Sequence, residues 1–293
     1  MSANTTVTRG IIIFVCAWFI IPVMDGGAKF LSQIGYPVLM IVWGRFFFNL
    51  ILLVPVAVIT RRNIFKPPPN LGLQIVRAMA MIGATLLFFM GLQTLPLADA
   101  LATYFVYPLI VTALAPVMLG EVPGLRRWIA VGVGFAGSLL IIQPGGGEMN
   151  EGVPYVLIAA GCFAIYNLLT RKLSGQGDAW QTLAFQMLVG TVVMSPVMLF
   201  VWEPLSWQVV GVMLMMAVAS ALGHYMIIRA YDYAPASVLA PFSYFEIISA
   251  TLIGFFVFGD FPTATTWAGV IVIVSSGIYI SFRERRHAGE RGA

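Results

Sequence analysis

Charge is what this chain has least of. Asp, Glu, Lys and Arg make up 10% of its 293 residues, against about 25% in a typical water-soluble domain, so there is too little polar surface for a solvated globule. Cysteine is nearly absent: Cys16 and Cys162 both fall inside apolar runs, where a thiol behaves as a small hydrophobe, and no disulfide is expected. No Walker A motif offers nucleotide energy, and no His, Cys or Asp cluster has metal-ligand spacing. A primary pump, a metalloenzyme and a nucleotide-fuelled enzyme therefore lose their support, and neither cofactor nor metal is expected.

Apolar sequence is what the chain has in excess, at 60% hydrophobic residues. A helix needs about 20 apolar residues to span the hydrocarbon, and ten such runs occur, at roughly 11–31, 37–59, 71–93, 97–119, 125–142, 153–173, 180–201, 207–231, 235–258 and 263–281. The chain reads as an all-α polytopic membrane protein with ten transmembrane helices in the lipid bilayer. Its first run, "GIIIFVCAWFIIPVMDGGAKF", is too long for a signal-peptide core and lacks a small-x-small cleavage site, so it counts as helix 1.

The net charge of +4 marks sidedness rather than nucleic-acid binding. With the N-terminus cytoplasmic, Arg9, Arg61, Arg62, Lys66, Arg126, Arg127, Arg171, Lys172, Arg229, Arg283, Arg285, Arg286 and Arg291 fall inside, and Lys29 alone is left in an outside loop. Both termini, and the loops at 60–70, 120–127 and 172–179, are then cytoplasmic on the inner membrane.

"GEVPGLRRW", Gly120 to Trp128, returns as "GDFPTATTW", Gly259 to Trp267. A shift of 139 positions pairs Pro96 with Pro235, Thr112 with Thr251, Glu121 with Asp260 and Pro123 with Pro262; a nearby shift pairs Lys29 with Arg171, Arg45 with Gln186 and Pro55 with Pro196. This is an internal duplication, 10–143 and 152–282, joined by the turn-forming "QPGGGEMNEG". Five helices per copy is an odd number, so the second copy enters the membrane from the opposite side. Such inverted repeats can open a central site to each side in turn.

Few polar groups lie within the spans. Glu246, mid-span in "SYFEIISA", costs on the order of 3 kcal/mol if it faces lipid. It is therefore a counter-charge for a substrate ammonium, a carboxyl that takes up a coupling proton, or a structural carboxyl between helices. Asp25 and Arg45 sit about 9 and 12 Å in from the outer ends of spans 1 and 2, at 1.5 Å per residue, and are expected to form a gating or structural pair. The repeat holds the amides Asn167 and Gln186 at those positions. Tyr104 and Tyr107 lie one turn apart on helix 4, and Ser243, Tyr244 and Glu246 occupy the equivalent segment of helix 9. If these helices meet, they make an aromatic pocket with one carboxylate, suited to an aromatic or cationic guest. His224, Asn167 and Gln186 are candidate donors for the guest's carboxylate. Arg77 and Arg229 are expected to snorkel to the inner interface, and Pro96, Pro108, Pro235 and Pro241 can bend the helices and free backbone groups near a cavity. "GVGFAG", Gly132 to Gly137, lacks the strand that a dinucleotide fingerprint requires and reads as small residues for close helix packing.

These residues resemble the drug/metabolite transporter superfamily, of the kind built from two EamA-type domains, over nearly the whole chain. That family typically has Glu-Pro within the fourth helix of each domain, then Gly-Glu at the next turn and a Trp. Here the first copy keeps the Pro in Tyr107-Pro108 and the second keeps the Glu in Glu246-Ile247, alongside Gly120-Glu121, Gly259-Asp260 and the two Trp. The resemblance implies a cavity lined by helices 1–4 and 6–9, with helices 5 and 10 peripheral, and overall likeness points to exporters of aromatic amino acids. The expectation is a secondary transporter of small amphipathic metabolites, most simply aromatic or apolar amino acids, with or without proton coupling. A sugar-phosphate or nucleotide-sugar exchanger would need more cavity bases than Arg45, a channel a continuous pore, and a membrane-embedded enzyme a nucleophile or metal constellation.

Overall fold

The computed structural model describes residues 3–61, 63–142 and 150–259, with scattered positions between 264 and 275. Among the described residues every regular element is helical. In chain order these are α1 (Ala3–Gln33), α2 (Val38–Thr60), α3 (Leu71–Gly91), α4 (Leu97–Tyr104), α5 (Tyr107–Leu119), α6 (Leu125–Ile142), α7 (Gly152–Lys172), α8 (Ala179–Met194), α9 (Met198–Val201), α10 (Trp207–Tyr233), α11 (Ala236–Leu239) and α12 (Glu246–Phe258). Short 3₁₀ turns, Ser195–Val197 and Ala240–Phe245, join α8 to α9 and α11 to α12.

Local chemistry sets the boundaries. Pro37 precedes α2, Asp178 caps α8 by accepting from the Trp180 amide, and Ser206 caps α10 by accepting from the Val209 amide. Gly120 and Gly259 end α5 and α12 in the left-handed region, at φ 68° and 72°, which glycine adopts without a Cβ penalty. Among the described residues seven stretches are long and apolar enough to cross a membrane: Thr6–Gln33, Val38–Thr60, Leu71–Gly91, Asp99–Leu119, Gly152–Lys172, Ala179–Val201 and Trp207–Tyr233. Trp128–Gly137 and Phe242–Phe258 are shorter apolar stretches. The expected tenth span falls largely outside the described residues, together with the 143–149 linker, Asp260, Pro262 and the side chains of Arg126, Arg127 and Pro241.

The duplication is visible in the backbone. α4 and α11 start at Leu97 and Ala236, and α5 and α12 run from Tyr107 and Glu246 to Leu119 and Phe258, each pair 139 positions apart as in the sequence. Pro96 and Pro235, ahead of α4 and α11, have φ −55°, ψ 149° and φ −58°, ψ 150°. Both copies therefore break the helix at one place, just before the positions of Tyr107 and Glu246, where Pro108 follows in the first copy. In the core, α1 packs chiefly on α10 and α3 on α7, two pairings that the duplication makes equivalent.

Candidate substrate site

α1 carries Trp18, Ile21 and Asp25 at spacings of three and four, and α3 carries Met81, Thr85 and Phe88 in the same way, so each presents one inward stripe. With Arg45 of α2, Leu101 and Tyr104 of α4, Phe163 of α7, His224 of α10 and Glu246 of α12, these stripes enclose a cavity of about 30 Å³. That is room for roughly two waters, each needing about 10–15 Å³ on this measure, and far too little for a metabolite. Substrate entry therefore requires the helices to part.

Arg45 is the hub of the polar lining and is 1% exposed. Its Nε donates to Ser220 Oγ at 3.2 Å, Nη1 to Thr85 Oγ1, and Nη2 to His224 Nε2 at 2.6 Å. A guanidinium only donates, so His224 accepts on Nε2 and is left with its ring proton on Nδ1, facing Tyr166 Oη at 3.3 Å. Thr85 and His224 are positions that the duplication makes equivalent, so this guanidinium bridges one residue and its own counterpart. The expected pairing of Asp25 with Arg45 is not made directly. Both line the cavity, but Arg45 spends its hydrogen bonds on neutral acceptors, whose geometry its planar fork satisfies at three points.

Arg77 departs from expectation too. Instead of snorkelling, it is fully buried, with Nε donating to Gln74 Oε1 at 3.1 Å, Nη2 to the Thr182 carbonyl at 2.8 Å, and its guanidinium 5.4 Å from the Tyr166 ring centroid. A carbonyl of α8 and an aromatic face offset the cost that a lipid-facing arginine would avoid only by reaching water. Arg229, at the end of α10, pairs with Asp232 at 2.8 Å and is partly exposed.

Glu246 is the first residue of α12, 2% exposed, and faces the cavity with Oε2 lacking a hydrogen-bond partner. Asp25 has no hydrogen bond or ion pair to any described residue, and the indole Nε1–H of Trp18, also on the cavity wall, lacks an acceptor. Buried polar atoms without partners are uncommon, and here three residues facing one cavity leave groups free to engage a guest.

The remaining candidates are placed apart. Tyr107 stacks behind the wall, with its ring 5.3 Å from Tyr104, 4.9 Å from Phe163 and 6.1 Å from Trp18. Asn167 donates to the Phe163 carbonyl at 2.8 Å and accepts from Tyr231 Oη at 2.7 Å, tying α7 to α10. Gln186 is buried with neither amide atom in a hydrogen bond, and does not line the cavity. Tyr244 turns away altogether: its hydroxyl donates to the Phe105 and Val131 carbonyls, and its ring lies over Gly134 so closely that a Cβ there would overlap it. Gly134 belongs to "GVGFAG", so the small residues of α6 receive this ring. Sequence reasoning passed over Trp18, Phe88, Phe89 and Phe163; a stripe at helical spacing on spans 1 and 3 was the available signal.

One end of the bundle is closed by charge. Arg171, on the last turn of α7, donates to Glu121 Oε1 at 3.1 Å and to the Tyr231 carbonyl at 2.6 Å, while the Ala236 amide donates to Glu121 at 3.3 Å. Ser174 donates to Asp232 Oδ1 at 2.8 Å. Glu121, the acid of the GEVP corner, thus fastens three elements at once. Between this latch and the cavity lie the edge-packed rings of Phe14, Trp18 and Tyr231, with centroids 5.6 to 5.8 Å apart. At the opposite end Tyr36 Oη donates to the Pro204 carbonyl at 2.8 Å.

A bundle of apolar helices around a small cavity lined by charged and aromatic side chains defines a polytopic membrane protein of the kind that transporters are built on. The profile of the EamA-like transporter family matches residues 8–143 and 150–282, and the chain belongs to that family, within the drug/metabolite transporter superfamily. It is 24% identical over 242 residues to the S-adenosylmethionine uptake transporter of Rickettsia prowazekii, covering 83% of this chain and 82% of that one. It is 29% identical over 204 residues to the riboflavin transporter of Vibrio cholerae, 69% and 68% of the two chains, and 26% identical over 218 residues to the pseudopaline exporter of Pseudomonas aeruginosa, 72% and 75%. A solved crystal structure shares the fold with a TM-score of 0.74 at 13% identity, covering 97% of this chain and 98% of that one. These relatives place the chain among transporters of small metabolites and do not single out the aromatic amino acid exporters that overall likeness suggested.

Proposed function

We propose that the chain is a secondary transporter moving small amphipathic metabolites built around an amino-acid group, aromatic and apolar amino acids being the simplest, outward across the inner membrane. It works by alternating access between two inverted five-helix halves, 10–143 and 152–282, with both termini cytoplasmic. The observation that carries this reading is one cavity holding an unpartnered carboxylate, Glu246, and a guanidinium, Arg45, between aromatic walls. Glu246 binds the ammonium or takes up a coupling proton; Trp18 Nε1 and Arg45 face the carboxylate; Phe88, Tyr104 and Phe163 receive the apolar part. The equivalence of the α4–α5 and α11–α12 breaks supports the two-halves reading, because discontinuous helices at the repeat interface are where such carriers hold substrate.

The same cavity speaks against sugar phosphates and nucleotide sugars. Its two carboxylates would repel a phosphate, and Arg45 is the single guanidinium among the described lining residues to oppose them.

Uptake into proteoliposomes against a panel of amino acids, with and without an imposed pH gradient, tests the proposal. Saturable transport of an amino-bearing amphipath is expected; transport of inorganic phosphate or a sugar phosphate in its place would show the reading to be wrong.

A further inference from the structure

The lining carries one more negative group than an amino acid can use. Asp25 and Glu246 both face the cavity, and Arg45 is the one guanidinium or ammonium among the described lining residues. His224 is neutral, since it accepts from Arg45 on one ring nitrogen. An α-amino acid brings one ammonium and one carboxylate, which leaves either Asp25 or Glu246, both buried, unmatched, and an uncompensated buried charge is costly.

Neither carboxylate is already committed. Asp25 is 3% exposed and makes no hydrogen bond or ion pair with a described residue, and Oε2 of Glu246 is equally unpartnered at 2% exposure. The two approach from different helices, α1 and α12, on one cavity. The walls between them are Trp18, Phe88, Tyr104 and Phe163, faces that attract cations as well as aromatic rings.

We infer that the preferred substrate carries two cationic centres and one carboxylate, together with a flat or apolar uncharged part. This rests on the transport reading above and narrows its substrate class. Glu246 takes the ammonium and Asp25 the second cation, which is a sulfonium, a quaternary ammonium or a second amine. Arg45 with the Trp18 indole N–H takes the carboxylate. Three ligand charges then meet three wall charges of opposite sign, and the aromatic faces hold the uncharged part.

The competing way to neutralise the extra carboxylate is a proton, in which case a substrate with one cation suffices. Two pairs of compounds separate these cases, each differing by a single methyl group and its charge: S-adenosylmethionine against S-adenosylhomocysteine, and S-methylmethionine against methionine. Phenylalanine and tryptophan complete the panel. The measurement is uptake by proteoliposomes containing the full chain, with counterflow competition as a second readout.

The sulfonium member of each pair is expected to exceed its thioether partner in kcat/KM by at least about tenfold, the scale of one partly buried charge contact. Asp25→Asn is expected to shrink that ratio to near unity, and Asp25→Glu to restore it, so that loss of folding cannot pass for loss of charge recognition. Equal handling of the two members of each pair, or preference for phenylalanine or tryptophan, overturns the inference while leaving the transport reading intact. Failure of folded, reconstituted protein to move any of the six overturns both.

Discussion

Glu246 combines burial and an unpartnered oxygen, so its charge rather than its packing is the feature a substitution would remove. Glu246→Gln keeps the shape and is expected to insert and fold while losing at least about tenfold in transport, on the scale of one buried charge contact. If Glu246 binds the ammonium, the Gln variant weakens substrate binding at every pH; if it carries a coupling proton, binding survives and the response to a pH gradient is lost. Normal binding, rate and gradient response together would leave Glu246 as a structural carboxyl. Arg45→Lys is a second case. A lysine ammonium cannot span Ser220, Thr85 and His224 with the planar fork that arginine provides. A lower melting temperature and reduced transport are expected, measured by thermal shift in detergent and by liposome uptake; unchanged values would show that the three contacts carry little energy. The sequence singled out Glu246, Asp25, Arg45, Tyr104 and His224, because polar groups within a span are costly enough to be conspicuous, and it set Asp25 and Arg45 at similar depth. It could not say that Arg45 would choose three neutral acceptors over Asp25. Nor could it say that Tyr244 would point at α6, since one residue of helical rotation decides which face a side chain takes.

Helix boundaries were legible because apolar run length, Pro and Gly punctuate the chain: the runs expected at about 37–59 and 153–173 appear as Val38–Thr60 and Gly152–Lys172. The interruption of span 4 into α4 and α5 was legible only in part, through Pro108. The latch was not, because it joins residues 50 positions apart. Arg171→Gln is expected to loosen it by removing the charge from the contacts to Glu121 and the Tyr231 carbonyl. A single cysteine at 236 should then react severalfold faster with a thiol reagent applied from that end of the bundle; an unchanged rate would mean that the aromatic layer alone keeps the end shut. Gly134→Ala forces the Tyr244 ring to shift, since an added Cβ would overlap it. A cost of about 1–3 kcal/mol follows from overpacking, read as a fall in melting temperature, whereas an unaltered melting temperature would show that α6 can slide.

At the scale of the whole chain, the proposed inverted arrangement puts the α1–α2 loop outside and the latch inside. In a background lacking Cys16 and Cys162, a cysteine at 35 is expected to react with an impermeant reagent added to intact cells, and a cysteine at 174 only after lysis. The reverse pattern would invert the topology, and labelling of both from outside would overturn it. The duplication itself could be read from residues because its two corners kept Gly, an acid, Pro and Trp at fixed spacing. The sense of that duplication in space needs the helices to be counted through a tenth span that lies largely outside the described residues.

Arg45 reaches Thr85 and, with the same guanidinium, His224, the residue that the duplication sets opposite Thr85. Had each half remained a separate gene and paired with its own copy, every cavity residue would occur twice: two arginines competing for one space, or two glutamines with none. Within one chain the halves are free of that constraint, and one carries Arg45 and Asp25 where the other carries Gln186 and Asn167. A mutation could thereafter alter one wall of the cavity without altering its mirror image. The asymmetric charge pattern of the cavity is in this sense permitted by covalent linkage between the halves.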